Sequence, residues 1–121
     1  MASYYRELIV WRKAMDLVIE VYQVTRDFPN RERFGLTDQL RRAAVSIPSN
    51  IAEGQGRRLR KQFASYLRTA RGSLQELETQ MLIAERLGYA RSEKTSPILT
   101  RAEEVSRLLS GLLRSLKVDK P

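Results

Sequence analysis

Apolar residues recur along most of this chain at three- and four-residue spacing, the period of a single helix face, and the breaks in that pattern divide it into four segments. In the first, Val10, Ala14, Leu17, Val21, Val24 and Phe28 alternate steps of four and three. It ends at Phe28-Pro29-Asn30, because the residue before a proline is pushed toward extended geometry. The second starts at Thr37, a good N-cap with Asp38 in the first turn, and runs to a stop expected at Gly54 or Gly56. The third has the cleanest seam, Phe63, Leu67, Ala70, Leu74, Leu77, Met81 and Ala84, closed by Leu87-Gly88. The fourth begins near Ser92 or Ser96-Pro97 and carries Ile98, Ala102, Val105, Leu109, Leu112 and Leu116, with Lys117 to Pro121 expected to fray. Short links between four comparable amphipathic helices predict an all-α, antiparallel up-down-up-down four-helix bundle in one domain over residues 1–121. Its helices are expected at about 8–28, 37–54, 58–87 and 96–117.

Two segments depart from a simple bundle helix. Pro48 lies inside the second, where it removes a backbone donor and collides with the carbonyl of Ala44, so a kink or a split is expected there. Yet Leu36, Leu40, Ala43, Ala44, Ile47 and Ile51 keep one face, and Gln39, Arg42, Ser46, Asn50 and Glu53 the opposite one. A bent helix with an ordered polar face satisfies both facts. Asn50 with Glu53, Arg42 and Ser46 then reads as a hydrogen-bonded network supporting the kink. The first helix is too apolar for one buried face: Trp11, Met15, Val18, Ile19 and Tyr22 add a second stripe beside its heptad seam. Either a second copy covers that stripe as a homo-oligomer interface, or the fourth helix wraps across both.

Charge adds the main functional clue. Lysine and arginine number 22 against 14 acidic residues, a formal +8 that favours polyanionic partners. Between Glu53 and Glu76 there is no carboxylate, while Arg57, Arg58, Arg60, Lys61, Arg68 and Arg71 fall in that interval. If the third helix starts near Arg57, then Arg57, Lys61, Arg68, Arg71 and Gln75 share a stripe interrupted only by Ala64. Arg41 and Arg42 would extend it. Arginine's planar fork suits bidentate phosphate contact, and Tyr66 is the candidate for stacking on an unpaired base. Two readings stay open: a nucleic-acid-binding strip, or a solvated face whose charges pair with Glu78, Glu85 or a neighbouring subunit.

Catalytic readings find no support. The chain has no histidine and no cysteine, which removes disulfides, thiolate metal sites, the Glu-x-x-His ligand set of di-iron bundles and a histidine base for a serine nucleophile. Gly54-Gln55-Gly56-Arg57-Arg58 lacks the Gly-Lys-Ser/Thr ending of a phosphate loop and reads as a two-glycine turn. Gly72-Ser73 reads as a point of close helix packing. No enzyme, no metal and no cofactor are expected. Met1 to Arg6 lacks a targeting pattern and no apolar run approaches the ~20 residues of a membrane span, so a soluble cytoplasmic protein is expected.

Several strings together carry a family resemblance: Val10-Trp11-Arg12-Lys13-Ala14, Phe28-Pro29 followed by Glu32, Phe34-Gly35-Leu36-Thr37, Gln39-Leu40-Arg41-Arg42-Ala43-Ala44, Ser46-Ile47-Pro48-Ser49-Asn50-Ile51-Ala52-Glu53-Gly54, and Leu87-Gly88-Tyr89. In them the chain closely resembles the bacterial four-helix-bundle proteins encoded within intervening sequences of 23S ribosomal RNA genes. The resemblance implies an antiparallel bundle that assembles into a homopentameric ring. Related proteins are accessory factors to the reverse transcriptase of diversity-generating retroelements, binding nucleic acid and the polymerase. The expectation is therefore a non-enzymatic, oligomeric protein that binds RNA or DNA through Arg41, Arg42, Arg57, Arg58, Arg60, Lys61, Arg68 and Arg71. The alternative is a scaffold that recruits a partner such as a polymerase or reverse transcriptase and touches nucleic acid incidentally.

Overall fold

The computed structural model describes residues 4–117. A short 3-10 helix, Tyr5–Glu7, leads into α1 (Ile9–Thr25), and a second one, Asn30–Glu32, precedes α2 (Leu36–Arg57). Then follow α3 (Arg60–Arg86) and α4 (Ser92–Ser115), with no strand among the described residues. α2 and α3 form the most extensive interface, and α1 and α4 complete the antiparallel four-helix bundle by packing on each other, on α2 and on α3 respectively.

The apolar seams meet at the centre. Leu17, Leu40, Ile47, Ile51, Leu67, Leu74, Leu77, Met81, Ile98 and Leu109 are fully buried, each contributing roughly 1.5–3 kcal/mol of transfer free energy. α2 passes through Pro48 without being split, and the proline ring is itself buried in the core face. Beside it Asn50 Nδ2 donates to the Ser46 carbonyl at 2.8 Å and to Ser46 Oγ at 2.9 Å, while the Ser46 and Ser73 hydroxyls share a hydrogen bond of 2.8 Å. The polar face is thus a strut to α3 through Ser73. The other two residues expected in that network turn elsewhere, Arg42 to Asp38 and Glu53 to Arg57.

The end of α2 differs from the sequence reading. Neither Gly54 nor Gly56 stops the helix, which runs on to Arg57 and ends with Arg58 in the left-handed region at φ 64°. Gly54 is needed for another reason: a Cβ there would lie 2.6 Å from the Tyr66 Cβ and 3.1 Å from the Phe63 ring, so its bare backbone lets α3 approach α2. α3 begins only at Arg60, with Leu59 extended before it, so Arg57 belongs to α2 and not to the third helix. α4 takes the earlier of its two expected starts and holds Pro97 inside it. Of the tail expected to fray, residues 118–121 lie outside the described residues.

The second stripe of α1 is not covered by α4. That helix lies along the opposite flank, where Arg101 Nε donates to Glu20 at 2.7 Å and Lys13 sits 3.4 Å from Glu104. Instead Trp11 meets the Tyr5 ring edge-on, and Arg41 stacks over Tyr22. Trp11 and Val18 are half-buried, while Met15, Ile19 and Tyr22 remain 39%, 55% and 40% exposed.

Candidate nucleic-acid interface

Antiparallel order brings three distant segments to one end of the bundle: the approach to α1, the α2–α3 link and the last turn of α4. Residues 4–7, 53–61 and 114–117 carry seven cations, Arg6, Arg57, Arg58, Arg60, Lys61, Arg114 and Lys117, against two carboxylates, Glu7 and Glu53. The opposite end, residues 25–38 and 84–96, holds six cations against five carboxylates. Charge is therefore concentrated along the bundle axis toward one end.

Within that end the cations are not equivalent. Arg57 Nη2 donates to Glu53 Oε2 at 2.9 Å and to the Tyr66 hydroxyl at 3.0 Å, and its guanidinium lies 5.5 Å from the Tyr66 ring centroid. The bond to Glu53, then the Tyr66 oxygen, raises the Arg57 pKa above its ordinary value. Arg57 and Tyr66 are thus engaged with each other. Arg58, Arg60 and Lys61 are exposed and form no ion pair among the described residues. Arg58 holds a left-handed backbone that glycine would adopt at lower cost, and Lys117, at φ 51°, does the same after α4. At the opposite end the equivalent left-handed position is Gly88, at φ 79°.

Arg68 and Arg71 lie on α3, about 10–15 Å further along the axis from Lys61, half-buried and in no ion pair among the described residues. The proposed stripe is less regular than its spacing, because Ala64 within it is completely buried and Arg57 is on another helix. Arg41 and Arg42 do not extend it. They sit about 24 Å from Arg57 along α2, where Arg41 Nε donates to Thr25 Oγ1 at 2.9 Å and Arg42 Nε to Asp38 at 2.8 Å. Of the carboxylates considered as partners, Glu85 accepts from the buried Thr95 hydroxyl, and Glu78 forms no ion pair among the described residues, its pKa raised by burial and then by the like charge of Glu103.

Sequence spacing missed Tyr4, Tyr5, Arg6, Arg114 and Lys117. They belong to no common helix face, and only the up-down-up-down order, which places both flanks of the domain beside the α2–α3 link, could have drawn them in.

A basic-ended, all-α antiparallel bundle is the class this fold defines. The model of the 23S rRNA-intervening sequence protein family matches residues 6–111, and the chain belongs to that family. A crystal structure of a protein of unknown function, from the S23 ribosomal protein family of Bacteroides thetaiotaomicron VPI-5482, has the same fold. It superposes with a TM-score of 0.81 at 22% identity, covering 88% of this chain and 96% of that one. No curated protein matches. Among the described residues no helix is long and apolar enough to cross a membrane.

Proposed function

We propose that this protein is a non-enzymatic, cytoplasmic homo-oligomer, a pentamer as the family resemblance implies, that binds nucleic acid, RNA in the first place, through phosphate contacts at its basic end. The observation that carries this reading is the cluster Arg58, Arg60 and Lys61, exposed and without carboxylate partners among the described residues, with Arg58 kept where glycine would be easier. Seven cations against two carboxylates give this end a net positive field, whereas six against five leave the opposite end close to neutral, so a polyanion is drawn to the former. Arg68 and Arg71 prolong the contact up α3. The exposed Met15, Ile19 and Tyr22 supply an apolar stripe for assembly, and several copies would multiply a modest contact by avidity.

The test is a titration of the full-length protein with RNA and DNA strands between about 50 and 200 mM salt. If Arg58, Arg60, Lys61, Arg68 and Arg71 all touch phosphates of a single strand, log affinity falls against log salt with a slope of about −3.5, steeper when several protomers engage. Salt-independent binding, or none at low salt, contradicts the proposal.

A further inference from the structure

The basic end also carries aromatic surface in an arrangement the charge pattern does not reveal. Tyr4 and Tyr5 stand just before α1 with ring centroids 5.1 Å apart, tilted at 45°. Tyr5 is anchored from behind by Trp11, whose ring it meets at 5.3 Å and 67°. The Arg6 guanidinium spans both, 5.0 Å from the Tyr4 centroid and 5.8 Å from that of Tyr5. Arg12 Nε donates to the Arg6 carbonyl at 2.9 Å and so pins the turn to α1. This 3-10 segment packs on both α1 and α2. Since the start of α1 lies against the C-terminal half of α2, the cluster stands at the end that carries Arg58, Arg60 and Lys61. Tyr4, at 43% exposure, is the outermost ring.

We infer that this end selects unpaired nucleotides over duplex: a base stacks on the Tyr4–Arg6–Tyr5 platform while Arg58, Arg60 and Lys61 hold the neighbouring phosphates. Cations alone favour a duplex, whose denser phosphates release more counterions for each charge neutralised. A π-face changes that, since duplex bases already stack on each other and only an unpaired base has a face to give. The guanidinium on the tyrosines adds to the platform, because arginine planes stack on bases as aromatic rings do. The Tyr5–Trp11 contact fixes the platform before binding, so little side-chain freedom is lost on contact.

This inference rests on the nucleic-acid reading above, and the experiment separates the two. Full-length protein is titrated with fluorescent oligouridine of about a dozen nucleotides, with an abasic strand of equal length and charge, and with a duplex of that length. The wild type should prefer oligouridine to the abasic strand by about tenfold and bind the duplex more weakly than oligouridine. Tyr4→Leu should erase that preference while leaving affinity for the abasic strand unchanged, and Tyr4→Phe should retain it. Tyr4 is exposed, so unchanged circular dichroism is expected for both variants. Equal, salt-sensitive binding to all three ligands overturns the stacking inference and leaves the phosphate reading standing. Absence of binding to every ligand at low salt removes both.

Discussion

The two ends of this bundle solve the same structural problem with different residues. Each must turn the chain between antiparallel helices and satisfy the helix termini. The neutral end does it with inward-looking devices: Glu32 accepts from the Leu36 N–H at 3.0 Å and from the Tyr89 hydroxyl at 2.7 Å, the Tyr89 ring lies 5.6 Å from Phe28, and Gly88 takes the left-handed turn. At the basic end, Gly54 admits Tyr66, Arg57 ties Tyr66 to Glu53, and the left-handed position falls to Arg58 with exposed cations following it. Exposed cations without ion pairs stand at both ends among the described residues, but the neutral end balances six of them with five carboxylates, whereas the basic end sets seven against two.

The largest expected effect on folding concerns the two glycines near the basic end. Gly54→Ala forces a Cβ into Tyr66 and should destabilise by about 1–3 kcal/mol in urea unfolding. Gly56, with nothing within 4 Å of its added Cβ and a helical backbone, should gain about 0.5–1 kcal/mol as alanine. Equal effects from both would mean that α3 does not approach α2 at Gly54.

Next are the left-handed positions. Arg58→Gly should raise stability by about 1 kcal/mol and at the same time weaken nucleic-acid binding, whereas Gly88→Ala should lower stability by about 1 kcal/mol without touching binding. A gain in both stability and binding for Arg58→Gly would deny that the side chain is kept for contact.

The smallest effect is a pH dependence confined to the neutral end. Glu32 is held below the ordinary carboxylate value of 4.5, first by the Leu36 N–H and then by Tyr89. A depressed carboxyl contributes in full above that ordinary value and loses its contribution as pH falls through the lower folded value. Melting temperature followed from neutrality down through pH 4.5 should therefore drop less steeply in Glu32→Gln than in the wild type. Identical profiles would remove Glu32 as the cap of α2.

Much of the fold was legible in the chain. The seam from Phe63 to Ala84 became the buried face of α3, and the face that continued past Pro48 did mark an unsplit helix. The end of α2 was not legible, because glycine serves two purposes that sequence does not separate: Gly54 resembled a stop but answers to the bulk of Tyr66, twelve positions on along the chain. Arg58 in a left-handed backbone runs against local preference, and no propensity announces it. The basic interval from Arg57 to Arg71 stood out as a lack of carboxylates, but its form as an end cluster depends on Arg6, Arg114 and Lys117 arriving from remote segments. Periodicity records one helix at a time; the cluster belongs to the way helices are ordered.

One measurement bears most directly on the claim that the end, and not net charge, makes the binding surface: the salt dependence of single-strand affinity in two variants of equal charge. Replacing Arg58, Arg60 and Lys61 by glutamine should weaken binding more than tenfold at low salt and flatten the slope by about 2. Replacing Arg86, Arg91 and Lys94 at the opposite end should leave both within about twofold of the wild type. Equal losses in the two variants, or a loss only in the second, would contradict the account.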